Sequence, residues 1–534
     1  MAKTPLLRKL RELLRDAGAS KRTGVPMDEI RARRDDRRGL TRRGFVAGGV
    51  AGAVALALPG RARAAGNRKI TIVGGGIAGL TCAVTLRDLG FSSTVYEASG
   101  RTGGRMFTNR TNYFSGQITE WGGELVDTGH RTVRRLVDRY GLALDNLHAA
   151  QPNNSRDIYR FGNQYYSATD ADADFLDIFD IVQADLEAAG YPTRYDAFTP
   201  EGQVLDQMSV HDWIETRVPG GHSAPLGKLL DVAYAIEFGA NARAQSALNL
   251  LYLLAFQPTT TQLDIFGESD EKFHIRGGNQ QLPEAIAADL GSAVRTGHKL
   301  VRLETTANGR YRCTFERGNS TVEDISDYVV LAIPFSVLKH VDTSGAGFDA
   351  LKNRAINRLG AGRNGKLQLQ FSSRDWLRQG PWPGKSSGSS YSDTGYQASW
   401  EATRAQSGTA GILVLYSGGS TTEAMATTSP FATAADPNVA ADAHRGRQQL
   451  APVYPNLAFT GRATQSLFHQ APLFNASYSF YKVGQYTDFG GVEGERQGGV
   501  YFCGEHTSQD FQGFMEGGAD TGETAAKKLA RRLS

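Results

Sequence analysis

The sequence predicts an α/β fold, because a strand, a glycine-rich turn and a helix follow one another at residues 69–90. Residues 69–73 form a short, β-branched apolar run, and residues 81–89 have helical character that ends at Gly90. A second strand, residues 93–96, comes directly afterwards. Strands that alternate with helices are typical of a parallel sheet with helices packed on its faces.

The composition is that of a globular protein. The chain has 534 residues, of which 40% are hydrophobic and 21% are charged, and this length corresponds to about two to four domains. Such a composition excludes a disordered or fibrous chain. The three cysteines, Cys82, Cys313 and Cys503, are too few for a disulfide scaffold and lack zinc-module spacing, so we expect no metal site.

The net charge of +4 conceals an uneven distribution of charged residues. Residues 1–64 contain 16 Lys and Arg against 6 Asp and Glu, whereas the rest of the chain contains 43 against 49. A nucleic-acid-binding protein is expected to carry its basic residues on the folded body. Because the excess positive charge lies in the N-terminal segment, we expect no nucleic-acid partner.

The N-terminal segment has the order of an export signal. Arg42 and Arg43 precede an apolar run, residues 47–58, and a small-residue stretch follows around Ala64. This pattern predicts a twin-arginine-type leader over residues 1–64, with the twin-arginine export machinery as a partner and a periplasmic or secreted destination. A basic tail beside a buried helix, or a signal anchor, is the alternative. The run is too short to span a bilayer, so we expect no stable membrane anchor.

The glycine-rich turn has the spacing of a dinucleotide-binding motif. Gly74, Gly76 and Gly79 form GxGxxG between a strand and a helix, which is the context that the motif requires. Gly74 permits the tight turn, Gly76 lets the backbone approach a pyrophosphate, and Gly79 lets the helix pack closely on the strand. The helix N-terminus, at Ile77 and Ala78, would face the phosphates.

An acidic residue and a second glycine turn follow the second strand. Glu97 stands where a carboxylate accepts hydrogen bonds from a ribose, which supports a Rossmann-like domain over a glycine-rich core turn. Residues 97–105 then place Gly104 between Arg101 and Arg105, and arginine side chains can neutralise a pyrophosphate. A solvated basic loop is the alternative interpretation of these arginines.

Five further motifs occur in one order along the chain, and with residues 97–105 they resemble the flavin-containing amine oxidase family. This family includes monoamine oxidases, polyamine oxidases and L-amino-acid oxidases. The motifs are EWGGE at 120–124, RGGNQQLP at 276–283, DYVVLAIP at 327–334, VYFCGEHT at 500–507 and GFMEGGA at 513–519.

The resemblance implies an FAD cofactor and a discontinuous architecture. A Rossmann-like FAD-binding domain would consist of residues 66–126, 272–335 and 495–534. An inserted α+β substrate-binding domain would consist of residues 127–271 and 336–494. The FAD-binding residues implied by the motifs are Gly74, Gly76, Ile77, Ala78, Gly79, Glu97, Ala98, Arg101, Gly104, Arg105, Gly122, Gly123, Glu124, Leu125, Leu300, Glu505, Gly513, Phe514 and Met515.

The two segments of the inserted domain differ in their patterns. Residues 132–140 and 247–256 have apolar residues at three- and four-residue spacing, which predicts helices. Residues 366–371 and 411–416 are strand-like, and the Gly/Ser-rich stretch at 384–390 predicts a turn.

The resemblance also implies catalytic residues. Lys366 matches the family lysine that holds a water beside flavin N5 and assists the reaction of reduced flavin with oxygen. Tyr478 and Phe514 match the two aromatic walls that receive the substrate amine. Ser477 stands where monoamine oxidases carry the cysteine bonded to FAD, so we expect no cysteinyl linkage. His506 is either a packing residue or a base.

The residues expected to bind the substrate leave open whether it is an amino acid or an amine. Venom-type L-amino-acid oxidases carry an arginine after the glycine pair, whereas this chain has Glu124 and Leu125, and Glu124 would suit a cationic substrate. Residues 207–213, 245–250 and 388–396 nevertheless resemble bacterial L-amino-acid oxidases, including the arginine-oxidising type. In that comparison Tyr391 helps to hold the substrate carboxylate.

We therefore expect an FAD-dependent L-amino-acid oxidase that favours basic or bulky side chains. It would convert its substrate, oxygen and water to a 2-oxo acid, ammonia and hydrogen peroxide by hydride transfer to flavin N5. A mono- or polyamine oxidase that yields an aldehyde is the alternative within the enzyme class, and a non-catalytic flavin-fold binding module is the alternative outside it. The sequence also leaves a homodimer open.

Overall fold

The parallel sheet predicted around residues 69–96 has five strands in the computed structural model, which describes residues 68–258 and 262–534. Every pairing within this sheet is parallel. The predicted leader, residues 1–64, lies outside the described residues. The strand order across the sheet is Val500–Phe502, Tyr328–Leu331, Ile70–Val73, Thr94–Tyr96 and Val294–Arg295.

The parallel sheet joins stretches that are far apart along the chain. Its strands come from each of the three segments predicted to form the FAD-binding domain. The central strand, Ile70–Val73, is buried throughout, as is the edge strand Val500–Phe502. A strand covered on both faces favours continuous apolar residues, as this sequence shows. The domain boundaries themselves stay a prediction.

Two helices, Ile77–Asp88 and Met515–Leu533, pack against each other beside the parallel sheet. A Cβ on Gly522 would stand 2.2 Å from the carbonyl oxygen of Ala78, so only glycine permits this approach of the two backbones. Apolar side chains of the sheet and of both helices form one buried cluster, which includes Ile70, Ile72, Cys82, Leu86, Val95, Val330, Cys503, Ala526 and Leu529.

A second sheet of eight strands forms the larger layer, and we call it the mixed sheet. Its pairings are antiparallel except between Lys385–Ser392 and Ser155–Phe161, which run parallel. The predicted strands at 366–371 and 411–416 are its central members. The order is Phe431–Thr433, Phe459–Leu467, Asn364–Phe371, Gly411–Gly418, Ala398–Glu401, Lys385–Ser392, Ser155–Phe161 and Gln164–Tyr166.

The turn predicted at residues 384–390 is wrong, because this stretch belongs to the strand Lys385–Ser392. The serine hydroxyls find partners inside the mixed sheet: Ser390 Oγ lies 2.7 Å from the Tyr396 hydroxyl and 2.6 Å from Ser399 Oγ. Small polar side chains that are hydrogen-bonded across strands can be buried without an unpaired polar atom.

Several helices contribute side chains to the largest apolar cluster of the described residues. The helices predicted at 132–140 and 247–256 are observed as Arg131–Arg139 and Ala247–Leu254, and the second is buried over its whole length. The other helices are Ala168–Ala189, Pro200–Gln207, Val210–Arg217, Pro225–Phe238, Gln281–Leu290, Phe335–Leu338, Ala350–Arg358, Ser420–Glu423, Pro437–Leu450 and Gln485–Asp488.

The described residues also form four smaller sheets. One has three antiparallel strands and three have two strands each. None of the helices described is long and apolar enough to cross a bilayer. The strands of these small sheets are Lys299–Thr305, Tyr311–Arg317 and Ser320–Ser326, then Gly360–Ala361 with Ser479–Phe480, Thr108–Asn109 with Thr119–Glu120, and Leu144–Asn146 with Phe273–Ile275.

We expect the substitution Gly79→Ala to destabilise the protein. Its Cβ would stand 2.0 Å from the carbonyl oxygen of Gly74, and overpacking of this kind costs ~1–3 kcal/mol. Gly100→Ala is the matched control, because a Cβ there would meet no atom within 4 Å. Melting temperatures of the two variants test the prediction, and equal values would contradict it.

Candidate active site

A cavity of about 560 Å³ opens where the carboxyl ends of the parallel strands meet. Residues that follow four of these strands line it: Gly74, Glu97, Ala332 and Gly504. Ligands of open α/β sheets bind at this edge, and the volume is that of a small-molecule site.

The glycine-rich turn forms a cradle at one end of the cavity. Gly74 has φ +108°, and a Cβ there would stand 2.7 Å from the carbonyl oxygen of Ala332. A Cβ on Gly76 would meet no atom within 4 Å, so it would project into space that the backbone leaves open. Gly104 closes the cradle, because a Cβ on Gly104 would stand only 3.4 Å from the Gly76 Cα. The N-terminus of the helix Ile77–Asp88 faces the same space, which suits a phosphate group.

Two residues predicted to contact the cofactor do not line the cavity. Gly79 is needed for helix packing, as its contact with Gly74 shows. The Arg101 guanidinium donates to the carbonyl oxygen of Gly104 at 2.7 Å and lies 3.9 Å from the centroid of the Phe107 ring. Arg101 therefore shapes the second glycine turn, which corrects its predicted role as a direct pyrophosphate ligand.

Glu97 lines the cavity and is held by its own neighbours. The Gly75 amide donates to Oε2 at 2.7 Å, and the Ser99 amide and hydroxyl donate to Oε1 at 2.8 and 2.7 Å. These bonds fix the carboxylate beside the glycine cradle, where a ribose would lie.

Arg105 and Glu505 form an ion pair in the cavity wall. The Arg105 guanidinium donates to Glu505 Oε1 at 2.9 Å and to the Ser477 carbonyl oxygen at 2.8 Å. Glu505 Oε2 accepts from the Ser479 hydroxyl at 2.8 Å and from the Gly513 amide at 2.9 Å. Burial would raise the pKa of Glu505, but the charge of Arg105 and these hydrogen bonds outweigh burial and lower the pKa. The pair joins three chain segments at one point.

Lys366 makes a buried ion pair with Glu124 in the middle of the cavity. Lys366 Nζ donates to Glu124 Oε2 at 2.7 Å and to the Gly122 carbonyl oxygen at 2.8 Å. Trp400 Nε1 donates to the other carboxylate oxygen of Glu124 at 2.9 Å. The residues Lys366 and Glu124 are only 7% and 9% exposed. Both oxygens of Glu124 are therefore in use, which corrects the expectation that Glu124 is free to receive a cationic substrate.

Aromatic residues form the wall beyond this ion pair. The Tyr478 hydroxyl donates to the Ile236 carbonyl oxygen at 2.7 Å and lies 3.1 Å from the Tyr416 hydroxyl. Phe514 lines the same cavity, and the preceding residue, Gly513, has φ +89°, a backbone conformation that glycine adopts readily. The structure thus places the two predicted aromatic walls in one cavity.

Tyr391 is not among the residues that line the cavity. It is buried, and its ring centroid lies 5.9 Å from that of Tyr159. The structure therefore does not place Tyr391 with the other predicted site residues, and its role in holding a substrate carboxylate stays a prediction. Trp400 on the adjacent strand and Tyr416 on the strand after that, whose rings lie 5.1 Å apart, line the cavity instead.

The remaining predicted site residues line the same cavity. The glycine pair is required by close contacts, since a Cβ on Gly122 would stand 1.9 Å from the carbonyl oxygen of Arg105 and one on Gly123 would stand 2.9 Å from Met515. The predicted site residues that line the cavity are Gly74, Gly76, Ile77, Ala78, Glu97, Ala98, Gly104, Arg105, Gly122, Gly123, Glu124, Leu125, Leu300, Lys366, Tyr478, Glu505, Gly513, Phe514 and Met515.

His506 is a neutral packing residue rather than an ionised one. Burial lowers the pKa of His506 to about 4, so its ring is uncharged at neutral pH. The ring centroid lies 4.5 Å from that of Phe335, and neither ring nitrogen has a hydrogen-bond partner among the described residues.

Several cavity residues lie outside every motif of the sequence, among them Trp400, Tyr416, Glu237 and Glu271. Trp400 and Tyr416 are on strands of the mixed sheet, and Glu237 and Glu271 lie at the end of a helix and before a strand. Tyr416 is the last residue of a predicted strand. The alternation of side chains between the two faces of that strand was the one sequence signal that could have indicated its position. Nothing local marks the two glutamates, because tertiary packing alone brings them to the cavity.

The family model for flavin-containing amine oxidoreductases matches residues 77–530. The chain belongs to this family. The flavin amine oxidoreductase is therefore an enzyme, and its family implies a flavin cofactor. The glycine cradle fits the phosphate part of such a cofactor. A Cβ at position 76 would project into the open space of the cradle, and the helix N-terminus lies beside it.

The similarity of this chain to individual proteins is low in identity, and the share of each protein that is covered varies. It is 25% identical to the flavin-dependent L-tryptophan oxidase RebO of Lentzea aerocolonigenes over 54% of this chain and 62% of that protein. It is 24% identical to an L-amino-acid oxidase of Pseudechis australis over 89% of both chains. Cyclohexylamine oxidase from Brevibacterium oxydans has a similar structure, with a TM-score of 0.72 and 20% identity over 87% of this chain and 99% of that one. This likeness confirms the predicted fold class.

We expect the substitution Lys366→Met to lower the melting temperature of the flavin amine oxidoreductase more than the double substitution Lys366→Met/Glu124→Gln does. The single variant leaves the Glu124 carboxylate buried without its cation, which costs ~3–5 kcal/mol. The double variant removes the charge and keeps an acceptor for Trp400.

Lys527→Met is the matched control, because Lys527 is half exposed and pairs with Glu523 on the protein surface. We expect its effect to stay below ~1 kcal/mol. If the double variant melts below the single variant, the ion pair does not have the assigned role.

Proposed function

We propose that the chain is an FAD-dependent oxidase that deaminates L-amino acids. The reaction would convert the amino acid, oxygen and water to a 2-oxo acid, ammonia and hydrogen peroxide. The alignment with an L-amino-acid oxidase along nine-tenths of both chains supports this choice. The observation that carries the site assignment is that the dinucleotide cradle, the Lys366–Glu124 pair and the aromatic wall share one cavity.

FAD is the flavin that we propose, held without a cysteinyl bond. When bound, the flavin accepts a hydride from the carbon that bears the amine. All three cysteines are buried and none lines the cavity. At the position that resembles the linkage site, Ser477 Oγ donates to Asn364 Oδ1 at 2.5 Å. These contacts support a cofactor held by packing and hydrogen bonds.

Lys366 is the residue to which we assign the reaction with oxygen. Its ammonium group is buried and held in place by Glu124 Oε2 and the Gly122 carbonyl oxygen. A fixed positive charge in a site that excludes water stabilises negative charge that develops on reduced oxygen. Tyr478 and Phe514 orient the substrate, and their rings favour an amine electrostatically.

A mono- or polyamine oxidase that yields an aldehyde is the second candidate, and one observation favours it. Each Lys and Arg among the described residues that line the cavity is already in an ion pair: Arg105 with Glu505, Lys299 with Glu316 and Lys366 with Glu124. A substrate carboxylate would therefore bind through hydroxyl and amide groups.

We also propose that the enzyme is exported by the twin-arginine machinery to the periplasm or beyond. The support is the order of Arg42, Arg43 and the apolar run at 47–58. This machinery carries folded proteins, which suits an enzyme that binds its cofactor before export. A homodimer stays an expectation.

A peroxide-coupled screen of the holoenzyme against amino acids and amines tests the proposed activity. We expect at least one L-amino acid to give a higher kcat/KM than putrescine or benzylamine, and to bleach the flavin absorbance under anaerobic conditions. A D-amino acid panel serves as the control. If putrescine or benzylamine is oxidised more efficiently than every amino acid, the second candidate is correct.

The variant Lys366→Met tests the role of Lys366 in oxygen reactivity. We expect stopped-flow reoxidation of the reduced flavin to slow by roughly 100-fold, because removal of one preorganised charge has an effect of that size. Flavin content of the purified variant should match the wild type. Unchanged reoxidation would refute this role.

A further inference from the structure

Two histidines and a glutamate come together outside the cavity. His211 and Glu215 lie on the helix Val210–Arg217, and His222 lies in the short turn that follows, Gly221–Ser223. One ligating atom from each residue, a ring nitrogen or a carboxylate oxygen, lies within 4.8 Å of the other two. Imidazole and carboxylate groups are ligands that transition metals accept in proteins. The expectation of no metal site rested on the cysteines, whereas these donors are histidines and a carboxylate.

The chain folds back after the helix so that His222 reaches the other two residues. His211 and Glu215 are four residues apart and therefore share one face of their helix. Gly220 and Gly221 follow with φ +79° and +52°, conformations that glycine adopts readily. A Cβ on Gly221 would stand 2.3 Å from Glu215 Oε2, so the turn passes directly beside this carboxylate. The turn places the His222 ring against the His211 ring, with the centroids 4.1 Å apart.

Each ring nitrogen of His222 faces a carboxylate. Nδ1 lies 2.7 Å from Glu215 Oε1. Nε2 lies 3.4 Å from Oδ1 of Asp231, a residue of the helix Pro225–Phe238, and makes no hydrogen bond among the described residues. A histidine that binds a metal ion through one nitrogen usually has a carboxylate at the other, which fixes the orientation of the ring. The arrangement matches binding of an ion at Nδ1, with Asp231 behind the ring.

An ordinary ion pair between His222 and Glu215 explains only part of this cluster. Such a pair needs one histidine, whereas the His211 ring is stacked on the His222 ring at an angle of 26°. The charges of Asp212 and Glu215 act on His211 and attract a cation to this place, while that of Arg243 opposes it. Arg243 is exposed, so its side chain can turn into solvent when an ion binds.

We propose that His211, Glu215 and His222 bind a divalent transition metal ion, with Zn²⁺ as the expected occupant. Two imidazoles and one carboxylate form a donor set that Zn²⁺ accepts, with water as the fourth ligand. The hydrogen bond at His222 Nδ1 is replaced on binding, because a ring nitrogen that binds a metal ion carries no proton. Glu215 is exposed, so the ion reaches the site from solvent. None of the three residues lines the cavity, and the site does not depend on the proposed oxidase activity.

The ion ties two helices together. It joins the helix Val210–Arg217 to the turn and, through Asp231, to the helix Pro225–Phe238. A Cβ on Gly227 would stand 2.0 Å from the Gly221 carbonyl oxygen, so the second helix already packs closely on the turn. The role of the ion is therefore structural: its binding energy adds to the stability of the folded state.

Titration of Zn²⁺ into the holoenzyme tests the site. The protein is purified without a polyhistidine tag and dialysed against a chelator, and binding is followed by isothermal titration calorimetry. We expect one tight equivalent per chain in the wild type. In His211→Ala, His222→Ala and Glu215→Gln the affinity should fall by more than ~100-fold, whereas Asp231→Asn, which removes only the orienting carboxylate, should lose ~10–100-fold.

His444→Ala is the matched control, because His444 is exposed on the helix Pro437–Leu450 and is not part of this cluster. We expect it to bind Zn²⁺ as tightly as the wild type does. If the His211, His222 and Glu215 variants bind Zn²⁺ as tightly as His444→Ala, the site is overturned. Glu215→Gln changes an exposed side chain, so this variant decides the question even if a histidine variant fails to fold.

Cu²⁺ gives a spectroscopic test of the same ligands. Cu²⁺ binds such sites more tightly than Zn²⁺ does, and its electron paramagnetic resonance spectrum should show coupling to two ring nitrogens in the wild type and to one in His211→Ala. An unchanged spectrum in that variant would contradict the assignment.

The melting temperature gives a third readout. Zn²⁺ should raise it in the wild type and in His444→Ala but not in Glu215→Gln, since an ion that binds the folded state stabilises it. An equal rise in all three proteins would overturn the site. Flavin content should be the same in every variant, because none of the substituted residues lines the cavity.

Discussion

The backbone contact between Gly74 and Gly79 is the constraint on which the rest of the site depends. A Cβ at position 79 would stand only 2.0 Å from the Gly74 carbonyl oxygen. Because Gly79 has no Cβ, the helix Ile77–Asp88 can lie directly against the first strand. The C-terminal helix Met515–Leu533 then packs on Ala78 through Gly522. Because Phe514 immediately precedes that helix and Met515 begins it, the same packing places both side chains at the cavity.

Charge in the cavity is arranged in two different ways. Arg105 with Glu505 and Lys366 with Glu124 are internally neutral pairs that join distant segments and hold the walls together. Glu237 and Glu271 also line the cavity, but Glu237 is half-buried and Glu271 is exposed. Removal of one partner of a buried pair would leave the other charge buried and unpaired, which is costly, so each pair depends on both of its members.

Residues with a strong local pattern were predicted well, and those whose role depends on distant partners were not. The strand, turn and helix around Gly76 follow from spacing and β-branched residues, and the observed elements agree within a few residues. The stretch 384–390 looked like a turn because Gly and Ser favour turns. Its serines instead find hydroxyl partners in the mixed sheet, which no local pattern reveals.

By itself, the amino-acid sequence determined the fold class, the dinucleotide cradle and the family, because these depend on short motifs whose glycines and apolar residues act within one strand–turn–helix unit. Tertiary structure alone decided the state of each charge. Glu124 and Lys366 are 242 residues apart in sequence and pair only after folding. The Arg101 guanidinium hydrogen-bonds within its own loop, and Tyr391 packs in the core. Glu237 and Glu271 line the cavity from separate elements. The energy of a side-chain charge depends on which partners packing brings within hydrogen-bond distance, and the order of residues does not specify that.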